Sequence, residues 1–156
     1  MKVLRLRNLQ RSHPPYSAWL RRAAITLVEE HLKWDDYDLG IYLVTPGRIR
    51  KLNEQYLRHE GDTDVISFPY STNAADIRAG EIFICVEVAL RHARRYRVSM
   101  PVELLRYVVH GLLHLEGYDD IHPAERRRMK HIENRLLRAL LRRHPAPVKL
   151  KNSSNP

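Results

Sequence analysis

The chain has 156 residues, of which 44% are hydrophobic, and this predicts one globular domain rather than a disordered chain. No apolar run approaches the length of a membrane span, the first ten residues are too charged for a secretory signal, and the single cysteine, Cys85, fits a reducing cytoplasm. The formal net charge is +9, and 21 of the 27 basic residues are arginine, which predicts either a nucleic-acid partner or a basic solvated surface.

The first part of the chain alternates strands and helices. Apolar residues between basic ones predict a strand over residues 3–9, helical spacing predicts a helix over 17–33, and β-forming residues predict a strand over 37–44. Thr45 and Pro46 are typical of a helix N-terminus, with the threonine as N-cap and the proline in the first turn. A second helix therefore follows.

The middle of the chain predicts two more strands and a third helix. Residues 65–68 form a short strand that Pro69 should stop, and residues 80–84 form another. The helix that begins at Val86 has an apolar stripe, while its other face carries arginines: Arg91, Arg94, Arg95 and Arg97. Cys85 is interpreted as a small buried residue at the end of the strand.

The fourth helix is the most apolar part of the sequence. It should be capped by Ser99, run over residues 102–115 with apolar residues nearly all round, and end at Gly117. Such a helix is normally buried, and a last helix begins near Pro123. The prediction is an α+β fold with a small mixed four-stranded sheet packed with about five helices, over one domain of residues 1–144 and a disordered tail, 145–156.

Two histidines lie on this buried helix. His110 and His114 are four residues apart, which places them about 40° apart around the helix and about 6 Å apart along it. Two imidazoles in this arrangement can bind one metal ion, whereas buried histidines without that role would each need a hydrogen-bond partner. We therefore predict a metal site on the buried central helix.

A third ligand is expected after the helix, because a catalytic metal commonly has three protein ligands and one open position. Gly117 allows a sharp turn, so the candidates are Asp119, Asp120 and His122, and spacing alone does not choose among them. Gly111 follows the first histidine where H-E-x-x-H metalloproteases carry a glutamate base, so that peptidase mechanism is disfavoured. A glycine there is interpreted as allowing close packing.

Residues 110–120 resemble the signature of the YbeY family, bacterial endoribonucleases of ribosomal RNA maturation, whose pattern is H-G-x-L-H-L-x-G-Y-D-H. Every fixed position matches except the last, where Asp120 replaces a histidine. A second block, Leu52-Asn53 followed by T-D-V-I-S-F-P at residues 63–69, resembles the family's L-N and T-D-V-L-S-F-P segments. Two blocks in the same order identify the chain as similar to this family over nearly its whole domain.

The resemblance implies an endoribonuclease with one Zn²⁺ held by His110, His114 and Asp120, with His122 as the alternative third ligand. A carboxylate in place of a histidine would also favour harder divalent ions. The family's arginine directly after the tyrosine is displaced by one position, since Leu57 follows Tyr56 and Arg58 comes next. Arg58 is interpreted either as a phosphate-binding catalytic residue or as a solvent-facing one.

The remaining site predictions concern substrate contacts and positioning. His59 could substitute for Arg58 at the phosphate, and Arg126 could bind the RNA backbone or belong to a solvated basic face. Asp64 could orient a metal-bound histidine or cap a turn. His114 is assigned a catalytic role with Arg58, as the resemblance implies.

The predicted activity is single-strand-specific RNA cleavage in late ribosomal RNA processing, at the 3′ end of 16S rRNA, and in ribosome quality control. The implied partners are pre-rRNA and the small ribosomal subunit, in the cytoplasm and without a membrane. One alternative is a non-catalytic RNA-binding assembly factor with a structural metal, and a more distant one is a metal-dependent hydrolase of another substrate. Steep salt dependence of RNA binding would distinguish phosphate contacts from incidental charge.

Overall fold

The computed structural model describes residues 1–57, 64–70 and 77–148. Four strands form one sheet: β1 (Lys2–Asn8), β2 (Asp36–Val44), β3 (Val65–Tyr70) and β4 (Ile77–Cys85). Their order is β1-β2-β4-β3, with β1 and β4 parallel to β2 and with β3 antiparallel to β4. The predicted α+β class with a mixed four-stranded sheet is therefore confirmed.

Five α-helices accompany the sheet in the described part of the chain. They are α1 (Ser17–Thr26), α2 (Pro46–Leu52), α3 (Val86–Tyr96), α4 (Met100–Glu116) and α5 (Pro123–Arg143). Thr45 caps α2 as predicted, because its side chain accepts a hydrogen bond from the Arg48 backbone N–H at 3.3 Å. Ser99 occupies the N-cap position of α4, but its side chain makes no capping hydrogen bond.

Several predicted elements differ from the observed ones, and the strand predicted over 80–84 spans Ile77–Cys85. The first helix was predicted as one α-helix over 17–33, but it changes after Thr26 into a π-helical turn, Leu27–His31, and α2 continues similarly as Asn53–Leu57. Pro69 does not stop β3, which extends to Tyr70. β3 is an edge strand, where proline is tolerated because a ladder hydrogen bond is needed on one side only.

The core lies between the sheet and α4. Alternate residues of a strand point to opposite faces of the sheet, so Leu39, Ile41 and Ile82 join the main core with α4, while Tyr42 and Phe83 contact a smaller cluster that includes Ile49 of α2. Cys85 is buried, as predicted, and so are Trp19 and Trp34. These contacts bury one side of α4 and leave its other side for α5 and the site.

Gly111 brings α4 unusually close to the sheet. A Cβ atom at this position would lie 2.7 Å from Cγ2 of Ile82, so any side chain would force the helix and β4 apart. The Gly111 carbonyl also accepts a hydrogen bond from Ser67 Oγ of β3 at 3.2 Å. The close packing predicted for Gly111 is confirmed, and it fixes where the two neighbouring histidines project.

None of the helices in the described residues is sufficiently long and apolar to cross a membrane. The proposed domain boundary at residue 144 coincides with the end of α5 at Arg143, and residues 145–148 have no regular secondary structure. The division into a domain of 1–144 and a disordered tail remains a prediction, since residues 149–156 lie outside the described part.

Candidate metal centre

The C-terminal end of α4 and the turn after it position the candidate ligands. Gly117 ends the helix in the left-handed conformation, with φ of 118°, and the backbone N–H of Tyr118 donates to the Leu113 carbonyl at 3.0 Å. This is a conformation that glycine adopts readily, and it reverses the chain just past the last helical turn. The following loop therefore returns towards the two histidines.

Three potential ligand atoms converge at this point. His110 Nε2 lies 3.1 Å from His114 Nε2, and Asp120 Oδ2 lies 3.6 Å from each of the two nitrogens. Ligands at about 2.0–2.2 Å from a tetrahedral ion are separated from each other by about 3.3 Å, so the triangle has the size that one ion requires. His110, His114 and Asp120 thus form a group that could hold a metal ion.

Hydrogen bonds on the far side of each ring determine which nitrogens face the centre. His110 Nδ1 donates to Glu133 Oε1 at 2.9 Å, and His114 Nδ1 donates to the Tyr118 carbonyl at 3.0 Å. With both Nδ1 atoms protonated, each neutral ring presents a lone pair at Nε2. Two lone pairs and a carboxylate then face one another without a donor between them, an arrangement that a cation would satisfy.

The electrostatics of His110 reflect the same arrangement. Burial lowers the pKa of His110, because it disfavours the charged imidazolium. The hydrogen bond from Nδ1 to Glu133 and the charge of that carboxylate act in the opposite direction and outweigh burial. Together with a smaller contribution from Asp120, they raise the pKa of His110. The surroundings of His110 therefore favour positive charge. The three side chains remain partly exposed, by 26% for His110, 28% for His114 and 39% for Asp120, which leaves access for a substrate.

Glu133 is itself firmly held. Glu133 is only 4% exposed, and its Oε2 accepts a hydrogen bond from Arg106 Nη1 at 3.2 Å. The same Nη1 also donates to Asn134 Oδ1 at 2.7 Å. Lys130 Nζ lies 4.0 Å from the carboxylate. A carboxylate that orients a metal-bound histidine is a common supporting group in metal sites, and here it connects α5 to α4.

The loop distinguishes the three candidates for the third ligand. Asp120 contributes to the triangle, whereas Asp119 Oδ1 accepts from the Ile121 backbone N–H at 3.0 Å and so stabilises the loop itself. His122 is the exposed N-cap residue of α5 and does not belong to the group. The geometry among the described residues favours Asp120.

The predicted substrate-binding residues are placed in different ways. Arg58 and His59 lie outside the described residues. Arg126 lies beside the candidate centre, but its Nε and Nη2 donate to the carbonyls of Asp120 and Ile121 at 3.1 Å each, so it also stabilises the ligand loop. Asp64 lines a cleft beside that centre, and its Oδ1 accepts from the Val65 backbone N–H at 2.8 Å. This bond agrees with the predicted alternative in which Asp64 caps a turn.

Glu133 and Arg106 are the functional candidates that sequence reasoning missed. The apolar stripe of α5 includes Met129 and Leu136, and Glu133 falls between them, four residues after the first and three before the second. A charged residue on a buried stripe requires a buried partner. The position of Glu133 on the apolar stripe could have marked it as a candidate, although its partner lies on another helix.

A cleft of about 590 Å³ opens from the centre. Its floor is formed by α4, one side by the end of α3 and the other by the start of α5. His110 and Asp120 line it together with Arg106, Arg126 and Lys130. The candidate centre is therefore at the edge of a cavity large enough for part of a substrate.

The fold and the site together define a small α+β protein whose three clustered side chains could hold a metal ion. Residues 6–141 match the sequence model of the family described as Endoribonuclease YbeY. The chain belongs to this family.

Individual relatives agree with this assignment. The chain is 37% identical over 139 residues to the endoribonuclease YbeY of Chlorobium phaeovibrioides, covering 88% of this chain and 90% of that protein. It is 43% identical over 93 residues to the one from Chlorobium luteolum, covering 60% and 66% of the two chains. The solution structure of TM1509 from Thermotoga maritima has a similar fold, with a TM-score of 0.64 at 24% identity over 96% of this chain and 99% of that one.

Proposed function

We propose that this protein is a single-strand-specific, metal-dependent endoribonuclease, a hydrolase of RNA phosphodiester bonds. It acts in late ribosomal RNA processing, at the 3′ end of 16S rRNA, and in ribosome quality control. The observation that carries the proposal is the convergence of His110 Nε2, His114 Nε2 and Asp120 Oδ2 within 3.6 Å of one another, in a chain of the endoribonuclease YbeY family.

The proposed ion is Zn²⁺, held by His110, His114 and Asp120. Two imidazole nitrogens and a carboxylate oxygen are an ordinary catalytic zinc donor set, and the carboxylate also makes a harder divalent ion acceptable. When bound, the ion supplies a Lewis acid that polarises phosphoryl oxygen and lowers the pKa of a water. Glu133 and the Tyr118 carbonyl keep the two ring nitrogens directed at it.

The remaining roles belong to basic residues of the chain. Arg58 is proposed as the catalytic residue that neutralises charge on the phosphate, with His59 as a neighbouring contact, and His114 as the catalytic metal ligand. Arg126 is proposed to contact the RNA backbone. Its bonds to the two loop carbonyls use two of five guanidinium N–H donors, so a phosphate contact is compatible with its loop contacts.

The proposed partners are pre-rRNA and the small ribosomal subunit, in the cytoplasm. A net charge of +9 supports a polyanionic substrate, and binding through phosphate contacts should weaken steeply as salt rises. An affinity for RNA that hardly changes with salt would favour a hydrolase of another substrate.

The test is cleavage of labelled single-stranded and double-stranded RNA by metal-loaded protein. The wild type should cleave the single strand, and His114→Ala should lose both metal and cleavage. His31→Ala, which removes an exposed histidine outside the site, should retain both. If His114→Ala binds RNA and restores rRNA processing in cells as well as the wild type, the non-catalytic assembly factor is the better assignment.

The third ligand is tested separately by elemental analysis of purified variants. Asp120→Ala should lose bound metal, whereas His122→Ala should retain it. Full metal retention by Asp120→Ala would show that Asp120 is not the ligand. Product ends identify the nucleophile, since a 2′,3′-cyclic phosphate indicates attack by the RNA 2′-hydroxyl rather than by water.

A further inference from the structure

The cleft extends from the candidate metal centre along α4 towards the N-terminus of that helix. Tyr107 precedes His110 by three residues, which is about 4.5 Å along the axis, and its hydroxyl forms a hydrogen bond with His92 Nδ1 of α3. His92 in turn packs edge-on against Tyr96, with ring centroids 6.3 Å apart. A row of aromatic rings therefore leads from the centre to the last turn of α3.

Tyr96 is the exposed end of that row. It lines the cleft and is 64% exposed, although its ring is large and largely apolar. The guanidinium of Arg95 lies 5.6 Å from its ring centroid. An exposed ring beside a cation is the combination on which proteins stack the bases of single-stranded nucleic acids.

The carboxylates near Tyr107 make that part of the cleft less favourable for a phosphate, whereas Tyr96 beside Arg95 offers a ring for a base. Asp64 and Glu103 line the cleft close to Tyr107, and both carboxylates act on its phenol electrostatically. Arg106, the nearest cation on α4, is already bonded to Glu133. A phosphate would be repelled by these carboxylates, whereas an uncharged aromatic base would not.

We propose that Tyr96 forms a stacking subsite for a nucleobase of single-stranded RNA, next to the nucleotide whose phosphate lies at the metal centre. The inference rests on the proposed function and adds to it a position that selects unpaired RNA. A base inside a duplex is already stacked and cannot reach the ring, so the subsite accounts for a preference for single strands.

Binding is measured separately from turnover. The probe is a fluorescein-labelled short oligouridylate, titrated by anisotropy with His114→Ala and with the double variant His114→Ala/Tyr96→Ala. Loss of the ring should weaken binding about fivefold to 150-fold, since stacking contributes about 1–3 kcal/mol per base. Tyr96→Phe should retain affinity, and Tyr70→Ala, which removes an exposed tyrosine outside this cleft, should not change it.

Abasic substitution identifies the stacked base. With a single abasic nucleotide moved along the probe, one position should weaken binding in the Tyr96 background but not in the Tyr96→Ala background. Equal affinities with and without Tyr96, or no such position, would overturn the subsite. If Tyr96 contributes to binding but metal-loaded wild type does not cleave the RNA, the subsite stands and the endoribonuclease proposal fails.

Discussion

The two faces of α4 have different roles, one in packing and one at the candidate metal centre. One face carries Leu105, Val108 and Leu112, which are fully buried in the main core, where shape and volume decide the fit. The other carries His110 and His114, which are about a quarter exposed; in each ring Nδ1 bonds to a group outside the cluster, and Nε2 faces the other two candidate ligand atoms.

The difference lies in what each face leaves unsatisfied. In the described residues no buried side-chain polar atom lacks a partner, so the packed side is complete in itself. On the open side three acceptor atoms point at one another. Substitutions on the two faces should therefore separate stability from metal binding.

The largest expected effect is stabilisation by metal through the open face. Added Zn²⁺ at about a thousand times its dissociation constant should stabilise the wild type by about 4 kcal/mol, because it binds only the folded chain. In His114→Ala the gain should fall close to zero. Thermal unfolding with and without the ion provides the measurement, and an equal gain in both proteins would place the ion elsewhere.

The matching experiment on the packed face is Leu112→Ala. Removing this buried side chain leaves a cavity and should cost about 3 kcal/mol of unfolding free energy, measured by urea denaturation. The folded variant should bind zinc with nearly the wild-type affinity. A large loss of affinity would mean that the core, and not the hydrogen bonds, fixes the ligand geometry.

Glu133→Gln changes the residue of α5 that bonds to His110 on the open face of α4. The amide can still accept from His110 Nδ1, but the negative charge that strengthens the bond is lost, so metal affinity should fall about tenfold to a hundredfold. Competition with a chromophoric chelator measures it. The control is Glu125→Gln, an exposed acidic residue in the first turn of α5, which should leave affinity unchanged.

The comparison also explains what the sequence could predict. The i, i+4 spacing of His110 and His114 is a property of a single helix, and it predicted two of the three clustered residues. The role of Glu133 depends on how α5 docks against α4, which no local pattern contains. The choice of Asp120 over His122 depends on loop hydrogen bonds made by Asp119 and Arg126.

The strands and helices likewise differ in whether a local pattern or a neighbouring element determines them. The buried strands β2 and β4 and the apolar α4 were predicted from their composition, because burial favours apolar and β-forming residues. Pro69 within β3 and the π-helical turn after Thr26 were not, since an edge position and a change of helical hydrogen bonding depend on neighbouring elements.

Gly111→Ala tests the close approach of α4 to β4. Alanine normally stabilises a helix interior by about 1 kcal/mol relative to glycine, but here its Cβ would lie 2.7 Å from Ile82 Cγ2. Overpacking should outweigh the helical gain, giving a net loss of about 1 kcal/mol in urea denaturation. Gly47→Ala is the control, because a Cβ there meets no atom within 4 Å and should be neutral or stabilising.

The last prediction concerns Tyr37, a buried ring whose hydrogen bond to the partly exposed carboxylate of Glu29 contrasts with the bond of His110 to Glu133. Tyr37 is 2% exposed and donates to Glu29 Oε1 at 2.9 Å, and burial with this bond raises its pKa to about 12. Below pH 10 both folded and unfolded chains keep the proton, so this contribution to stability is fully present. Between pH 10 and 12 only the unfolded chain releases it, and stability should fall by up to about 1.4 kcal/mol per pH unit.

Tyr37→Phe should remove the contribution of Tyr37 to that slope, because phenylalanine has no proton to release in either state, whereas Tyr70 and Tyr107, whose pKa values are also raised, keep theirs. Urea denaturation at pH 8, 10 and 11 measures it as the difference between wild type and variant, in which the titration of other groups cancels. Tyr56→Phe, at an exposed ring, should keep the wild-type slope. If Tyr37→Phe kept the full wild-type slope, the alkaline loss of stability would arise from other groups, and not from the buried Tyr37 hydroxyl.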